Sequence, residues 1–130
     1  MIFKNYSESA QLLAQKITEN FDHNFTLTFI SPESEAYAQK IASLLKTKLT
    51  NSINPKNLII IDNGSTSSTE YNEFTDEIRK THPTTNIVIA IPIIPESEKT
   101  ILSQNCDILL YLHSDPYFFS VNQFYEEQIY

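Results

Sequence analysis

The chain has 130 residues, of which 41% are apolar, with a single cysteine, a single glycine and a formal net charge of −7. That charge argues against nucleic acid and anionic membrane surfaces as partners, and no apolar run reaches membrane-spanning length. Cys106 alone allows no internal disulfide, and Met1 to Tyr6 lacks the apolar core of a signal peptide; the expectations are one domain over 1–130 and a cytoplasmic location.

Ala10, Leu13, Ala14, Ile17 and Phe21 recur at helical spacing. Residues 25–30 then read as a strand, followed by a helix with Tyr37, Ile41, Leu44, Leu45 and Leu49 on one stripe. Residues 58–61 form a second predicted strand, and Tyr71, Phe74 and Ile78 mark a third helix. Residues 87–91 and 108–112 are two more strands, separated by a short helix near 96–103. The stretch 118–130 is aromatic and expected to be partly helical. Lys46 with Lys48, and Arg79 with Lys80, fall near predicted helix C-termini, where cations oppose the helix dipole. Cys106, just ahead of an apolar run, reads as a buried, inert thiol. Short, nearly continuous apolar strands alternating with helices predict an α/β fold: three layers, doubly wound, with a mainly parallel sheet of four to five strands.

Ligands in such sheets sit beyond the carboxyl ends of the strands. Four segments fall there: 31–35, 62–69, 92–98 and 113–119. The first and third share Pro-Glu-Ser-Glu, at 32–35 and 95–98. Each reads as a helix start, with proline in the first turn and acids answering the dipole; Ser31 is the expected N-cap of the first. His23, His82 and His113 lie in three different connections with no metal-ligand spacing, and His113-Ser114-Asp115 reads as a solvated turn into Pro116.

Average usage would give this chain about nine glycines; its one, Gly64, follows Asp62-Asn63 at the end of the most apolar strand. The segment Asp62, Asn63, Gly64, Ser65, Thr66, Ser67, Ser68, Thr69 is the candidate ligand-binding loop. A turn from strand into helix points several N–H groups and hydroxyls at one anion, which suits a phosphate monoester, and an acid at the strand end suits ribose hydroxyls. The competing reading is structural. Ser67 and Glu70 have capping-box spacing, which would put the Glu70 carboxylate where a phosphate belongs. No residue is assigned a catalytic or metal-binding role.

The run LIIIDNGSTSSTE at 58–70 resembles the Asp-Asp-Gly-x-x-Thr-Gly-x-Thr signature of the type I phosphoribosyltransferases. The opening Phe3-Lys4-Asn5-Tyr6-Ser7-Glu8-Ser9-Ala10 with Leu13-Ala14, the strand Ile87 to Pro92, and Tyr117-Phe118-Phe119-Ser120-Val121-Asn122-Gln123-Phe124-Tyr125-Glu126-Glu127 resemble one bacterial branch of that family. The resemblance implies a phosphoribosyltransferase core. Active members exchange the pyrophosphate of phosphoribosyl pyrophosphate (PRPP), usually with Mg²⁺, for a nitrogen base. Their loop after the acidic pair cradles the 5′-phosphate, the acids hold the ribose hydroxyls, a loop after the first strand binds pyrophosphate, and a hood covers the base.

Asp62 matches the first acid of the signature, while Asn63 replaces the second, Ser67 the Thr, Ser68 the Gly and Glu70 the final Thr. Ser68 carries a penalty of about 1–2 kcal/mol if a left-handed backbone is required there. Glu70 repels phosphate. The branch's Pro-Arg-Gly-Gly loop is replaced by Ser31-Pro32-Glu33-Ser34-Glu35, which sets two carboxylates against a polyanionic leaving group. The middle insert that contributes to the hood is reduced to residues 50–55. The expected function is therefore a degenerate, non-catalytic phosphoribosyltransferase-like domain that binds a phosphorylated ribose or small anion at 62–69. Two alternatives stand beside it. One is a PRPP-dependent transferase completed by a partner chain that supplies basic residues, with Mg²⁺ as the implied cofactor. The other is a ligand-free module that homodimerises through the aromatic C-terminus: Tyr117, Phe118, Phe119, Phe124 and Tyr125.

Overall fold

In a computed structural model describing residues 2–21, 24–50 and 56–127, the apolar runs become four parallel strands. These are β1 (Thr26–Thr28), β2 (Asn57–Ile61), β3 (Asn86–Pro95) and β4 (Ile108–Asp115), hydrogen-bonded in the order β1-β2-β3-β4. The helices are α1 (Tyr6–Asn20), α2 (Glu35–Leu44), α3 (Ser68–Thr81) and α4 (Lys99–Asn105). Period-two alternation divides the sheet between them. Ile59, Ile61, Val88 and Ala90 meet α1 and α2, and Leu58, Ile60, Ile87 and Ile89 meet α3 and α4. The central strands therefore need apolar side chains at every position, which is why they read as unbroken runs. Ile59, Ile60 and Ile61 are fully buried, each contributing roughly 1.5–3 kcal/mol. The expected three-layer α/β architecture is present with four strands. Among the described residues, no helix is long and apolar enough to cross a membrane.

Several boundaries differ from the sequence expectation. β1 is shorter, at three residues. The stripe predicted through Leu49 breaks because α2 stops at Leu44, itself 45% exposed. Lys46 takes a left-handed φ of 56°; its N–H donates to the Ser43 carbonyl and that of Thr47 to the Ala42 carbonyl. This pair of bonds closes the helix in the Schellman manner, with lysine where glycine is usual. Leu49 pairs in an isolated bridge with Leu27 instead. Ser31 precedes a short 3₁₀ turn, Pro32–Ser34, but its hydroxyl makes no cap bond and is used elsewhere. β3 and β4 run on to Pro95 and Asp115, so much of the expected loops 92–98 and 113–119 is strand. His113 bonds Asp115 at 3.1 Å within β4 rather than lying in a solvated turn. His23, residues 51–55 and residues 128–130 lie outside the described residues.

After β4 the chain turns back across the carboxyl end of the sheet through a 3₁₀ turn, Val121–Phe124. The Ile2 and Phe3 N–H groups donate to the Phe124 carbonyl, and the Glu126 and Glu127 N–H groups donate to the Phe3 and Lys4 carbonyls. Phe3, Ile93, Phe124 and Tyr125 form a small third core, with Phe118 and Val121 packed on it. Most of the C-terminal aromatics are therefore used within the chain. Tyr117 and Phe119 remain 71% and 85% exposed.

Candidate functional site

β2 ends in the core, so the first residues after Ile61 begin below the surface: Asp62 is 1% exposed and Asn63 6%. A carboxylate at that depth requires donors, and the chain provides them locally. Asp62 Oδ1 accepts from Ser34 Oγ (2.8 Å), Thr66 Oγ1 (2.9 Å) and the Gly64 and Thr66 N–H groups (3.2 and 3.3 Å). Its Oδ2 accepts from the Tyr71 hydroxyl at 2.6 Å. Tyr71, fully buried on α3, has its pKa raised well above the usual phenol value by that burial and by the Asp62 charge.

Asn63 is also committed internally. Its Nδ2 donates to the Tyr6 hydroxyl (2.9 Å) and the Glu33 carbonyl (3.0 Å), while its Oδ1 accepts from the Ser65 N–H and hydroxyl (3.0 and 2.6 Å). Ser31 Oγ lies 3.0 Å from both Ser65 Oγ and Thr66 Oγ1. The loop after β1 and the loop after β2 are thereby stitched together by side chains. The exposed Glu33 and Glu35 side chains stand beside this seam.

The outer part of the loop forms the start of α3. Ser67 and Glu70 make the anticipated capping box, with the Ser67 N–H on Glu70 Oε1 (2.9 Å) and the Glu70 N–H on Ser67 Oγ (3.2 Å). Ser68 opens the helix, so the left-handed conformation considered for it does not arise. Among the described residues positive φ occurs only at Lys46 and Gly64, the latter at 111°. Ser65, Ser67 and Thr69 are exposed, whereas Thr66 is buried.

Asp62 to Thr69 thus divide into two groups: an inward network from Asp62 to Thr66, and a helix cap from Ser67. The sequence does not single out Tyr6 or Tyr71 as parts of this network, nor Ser34 as its link between loops: Tyr71 reads as part of a helix stripe and Ser34 as part of a helix start, and nothing in a sequence marks a hydroxyl as turned toward a particular carboxylate. Beneath the network, Ser9 Oγ lies 3.0 Å from the Tyr37 hydroxyl and 2.9 Å from that of Tyr125. Burial raises the pKa of both tyrosines and of Tyr6.

No group of three or more metal-ligating side chains occurs among the described residues. A groove of ≈ 530 Å³ between α1 and α2 is lined by Ala10, Ala36, Lys40, Leu44 and neighbours, none of them in the loop 62–69. Cys106 is buried, its pKa is pushed up to about 11 chiefly by that burial, and its Sγ donates to the Leu102 carbonyl at 3.2 Å. It is poorly placed to act as a nucleophile.

No protein-family model and no curated protein sequence matches the chain. Among solved structures it is similar to orotate phosphoribosyltransferase from Aeropyrum pernix, with a TM-score of 0.65 and 12% sequence identity, over 84% of this chain and 70% of that one. At that identity the likeness establishes the fold, a phosphoribosyltransferase-like α/β core.

Proposed function

We propose that this chain is a non-catalytic domain on the phosphoribosyltransferase fold, with its ancestral ligand loop closed from within. The observation that carries this reading is the inward use of Asp62. Its carboxylate, which the family resemblance would turn toward ribose hydroxyls, accepts five hydrogen bonds from Ser34, Gly64, Thr66 and Tyr71 and is 1% exposed. A ribose could engage it only by breaking charge-assisted bonds in a buried site, where their replacement is costly. The loop after β1, which the resemblance would give to pyrophosphate, presents Glu33 and Glu35 in place of donors. The same electrostatics disfavour a PRPP and Mg²⁺ reaction completed by a partner chain, which would have to overcome both acids.

A second reading keeps an anion at the outer lip. Ser67 and Thr69 are exposed there, and the first N–H groups of α3 have no intrahelical partner. Inorganic phosphate or a phosphorylated ribose would compete with Glu70 for that position. Calorimetric titration of ribose 5-phosphate, and of PRPP with Mg²⁺, into the wild type and Glu70→Thr separates the two. The closed-loop reading expects no saturable heat in either protein. Saturable binding that strengthens in Glu70→Thr would establish the lip site instead. The homodimer reading rests on exposed Tyr117 and Phe119; it requires concentration-dependent association in sedimentation that Phe119→Ser abolishes.

A further inference from the structure

We infer that the C-terminal segment 117–127 is a strap that holds the loop 62–66 shut, and that release of this strap is the step that opens the loop. The contact between them is at Gly64. A Cβ built on that residue would lie 3.2 Å from Val121 Cγ2, 3.6 Å from Phe118 Cζ and 3.9 Å from the Ile93 carbonyl oxygen. The strap therefore packs over the α-carbon of Gly64, where an added Cβ would press on Val121 Cγ2.

A second linkage runs through the aromatic groups. Tyr125 packs edge-on against Tyr6, with centroids 5.0 Å apart, and the Tyr6 hydroxyl accepts from Asn63 Nδ2. The strap thus bears on the loop directly at Gly64 and, through Tyr6, at Asn63.

The strap's buried residues belong to a cluster distinct from the two that flank the sheet. The strap itself adds no strand to the sheet. It is attached by its backbone bonds to residues 2–4, the isolated Phe3–Tyr125 bridge, the small cluster around Phe3, Ile93, Phe124 and Tyr125, and the Tyr125 side chain, which packs on Tyr6 and bonds the Ser9 hydroxyl. The Gln123 side chain stiffens its bend by donating to the Tyr117 carbonyl and accepting from the Phe119 and Ser120 N–H groups. A segment whose anchoring cluster is its own can open as a unit without global unfolding. The loop is the part of the molecule that such an opening would expose.

Amide hydrogen exchange tests the coupling, and its outcome does not depend on whether any ligand binds. Val121→Ala trims the side chain on Gly64, and Phe124→Ala loosens the strap's anchor. Under native conditions the Gly64 and Thr66 amides, which bond Asp62, should exchange at least tenfold faster in Phe124→Ala and several-fold faster in Val121→Ala. Val88 and Ile89 in β3 should keep their wild-type ratio to global stability. Loop amides that exchange at the wild-type rate, or that accelerate only in step with β3, would overturn the inference. Should Phe124→Ala not fold, the half-buried Val121→Ala decides the matter alone.

Discussion

Replacing Asp62 by asparagine distinguishes a structural carboxylate from a ligand-binding one. The substitution keeps the shape and one acceptor oxygen but removes the charge, and it puts an NH₂ group where Oδ2 accepts the Tyr71 hydroxyl at 2.6 Å. Hydrogen bonds to a charged group contribute about 1.5–3 kcal/mol each and neutral ones about 0.5–1.5 kcal/mol. Five such bonds converge on this carboxylate. Because bonds on one acceptor are not additive, the combined loss is set at roughly 2–4 kcal/mol. For a chain of this size a loss near 3 kcal/mol lowers the Tm by about 10 °C. Urea denaturation and thermal melting of wild type and Asp62→Asn measure it. Residues held in place for ligand chemistry behave in the opposite way, and their removal often leaves stability unchanged or raises it. An Asp62→Asn protein at least as stable as the wild type would therefore refute the argument that Asp62 serves the fold.

Alkaline pH should destabilise the protein in a steep, tyrosine-dependent manner. Burial raises the pKa of Tyr37, Tyr71 and Tyr125 and of the half-buried Tyr6, so the folded state holds at least three protons that the unfolded state releases near pH 10. The stability linked to them is complete below that pH and is lost as pH rises toward the folded values, at up to about 4 kcal/mol per pH unit for three protons. Thermal melts followed by tyrosinate absorbance should show this slope, and Tyr37→Phe should reduce it by one proton's share. Lys46→Gly should raise stability by about 1 kcal/mol, because lysine at φ 56° occupies a left-handed helix end that glycine adopts without a Cβ penalty; a higher midpoint in urea at unchanged m-value would confirm it.

Much of the fold was legible because the inner strands require it. A strand buried on both faces has no polar alternation to disguise it, so residues 58–61 and 87–91 stand out in the sequence and coincide with β2 and β3. The ends of elements were harder to read. The expected end of the second helix failed at Lys46, whose left-handed backbone carries no residue-type signal when lysine takes glycine's place. The extra length of β3 and β4 came from pairing between Ile93 to Pro95 and His113 to Asp115, a tertiary event beyond the reach of local propensity.

At the site, the capping box of Ser67 and Glu70 could be read from spacing alone, because both partners lie within one helical turn. The direction in which Asp62 points could not. An acid at a strand end is written identically whether it faces solvent or its own chain. What distinguishes the two cases is Ser34, 28 positions earlier in sequence, and Tyr71, nine later. Neither partner has a fixed offset that a motif could encode. The resemblance to the family signature directed attention to the loop 62–69, and only the packed structure showed how its donors are used.

The most direct test of the central claim is a pyrophosphate-release assay on the purified chain with PRPP, Mg²⁺ and a panel of nitrogen bases, beginning with orotate. Release should be no faster than without protein for every base, in the wild type and in Glu70→Thr alike. Base-dependent, protein-proportional release of pyrophosphate would contradict it, since the Asp62 network and the Glu33 and Glu35 carboxylates would then have to yield during turnover.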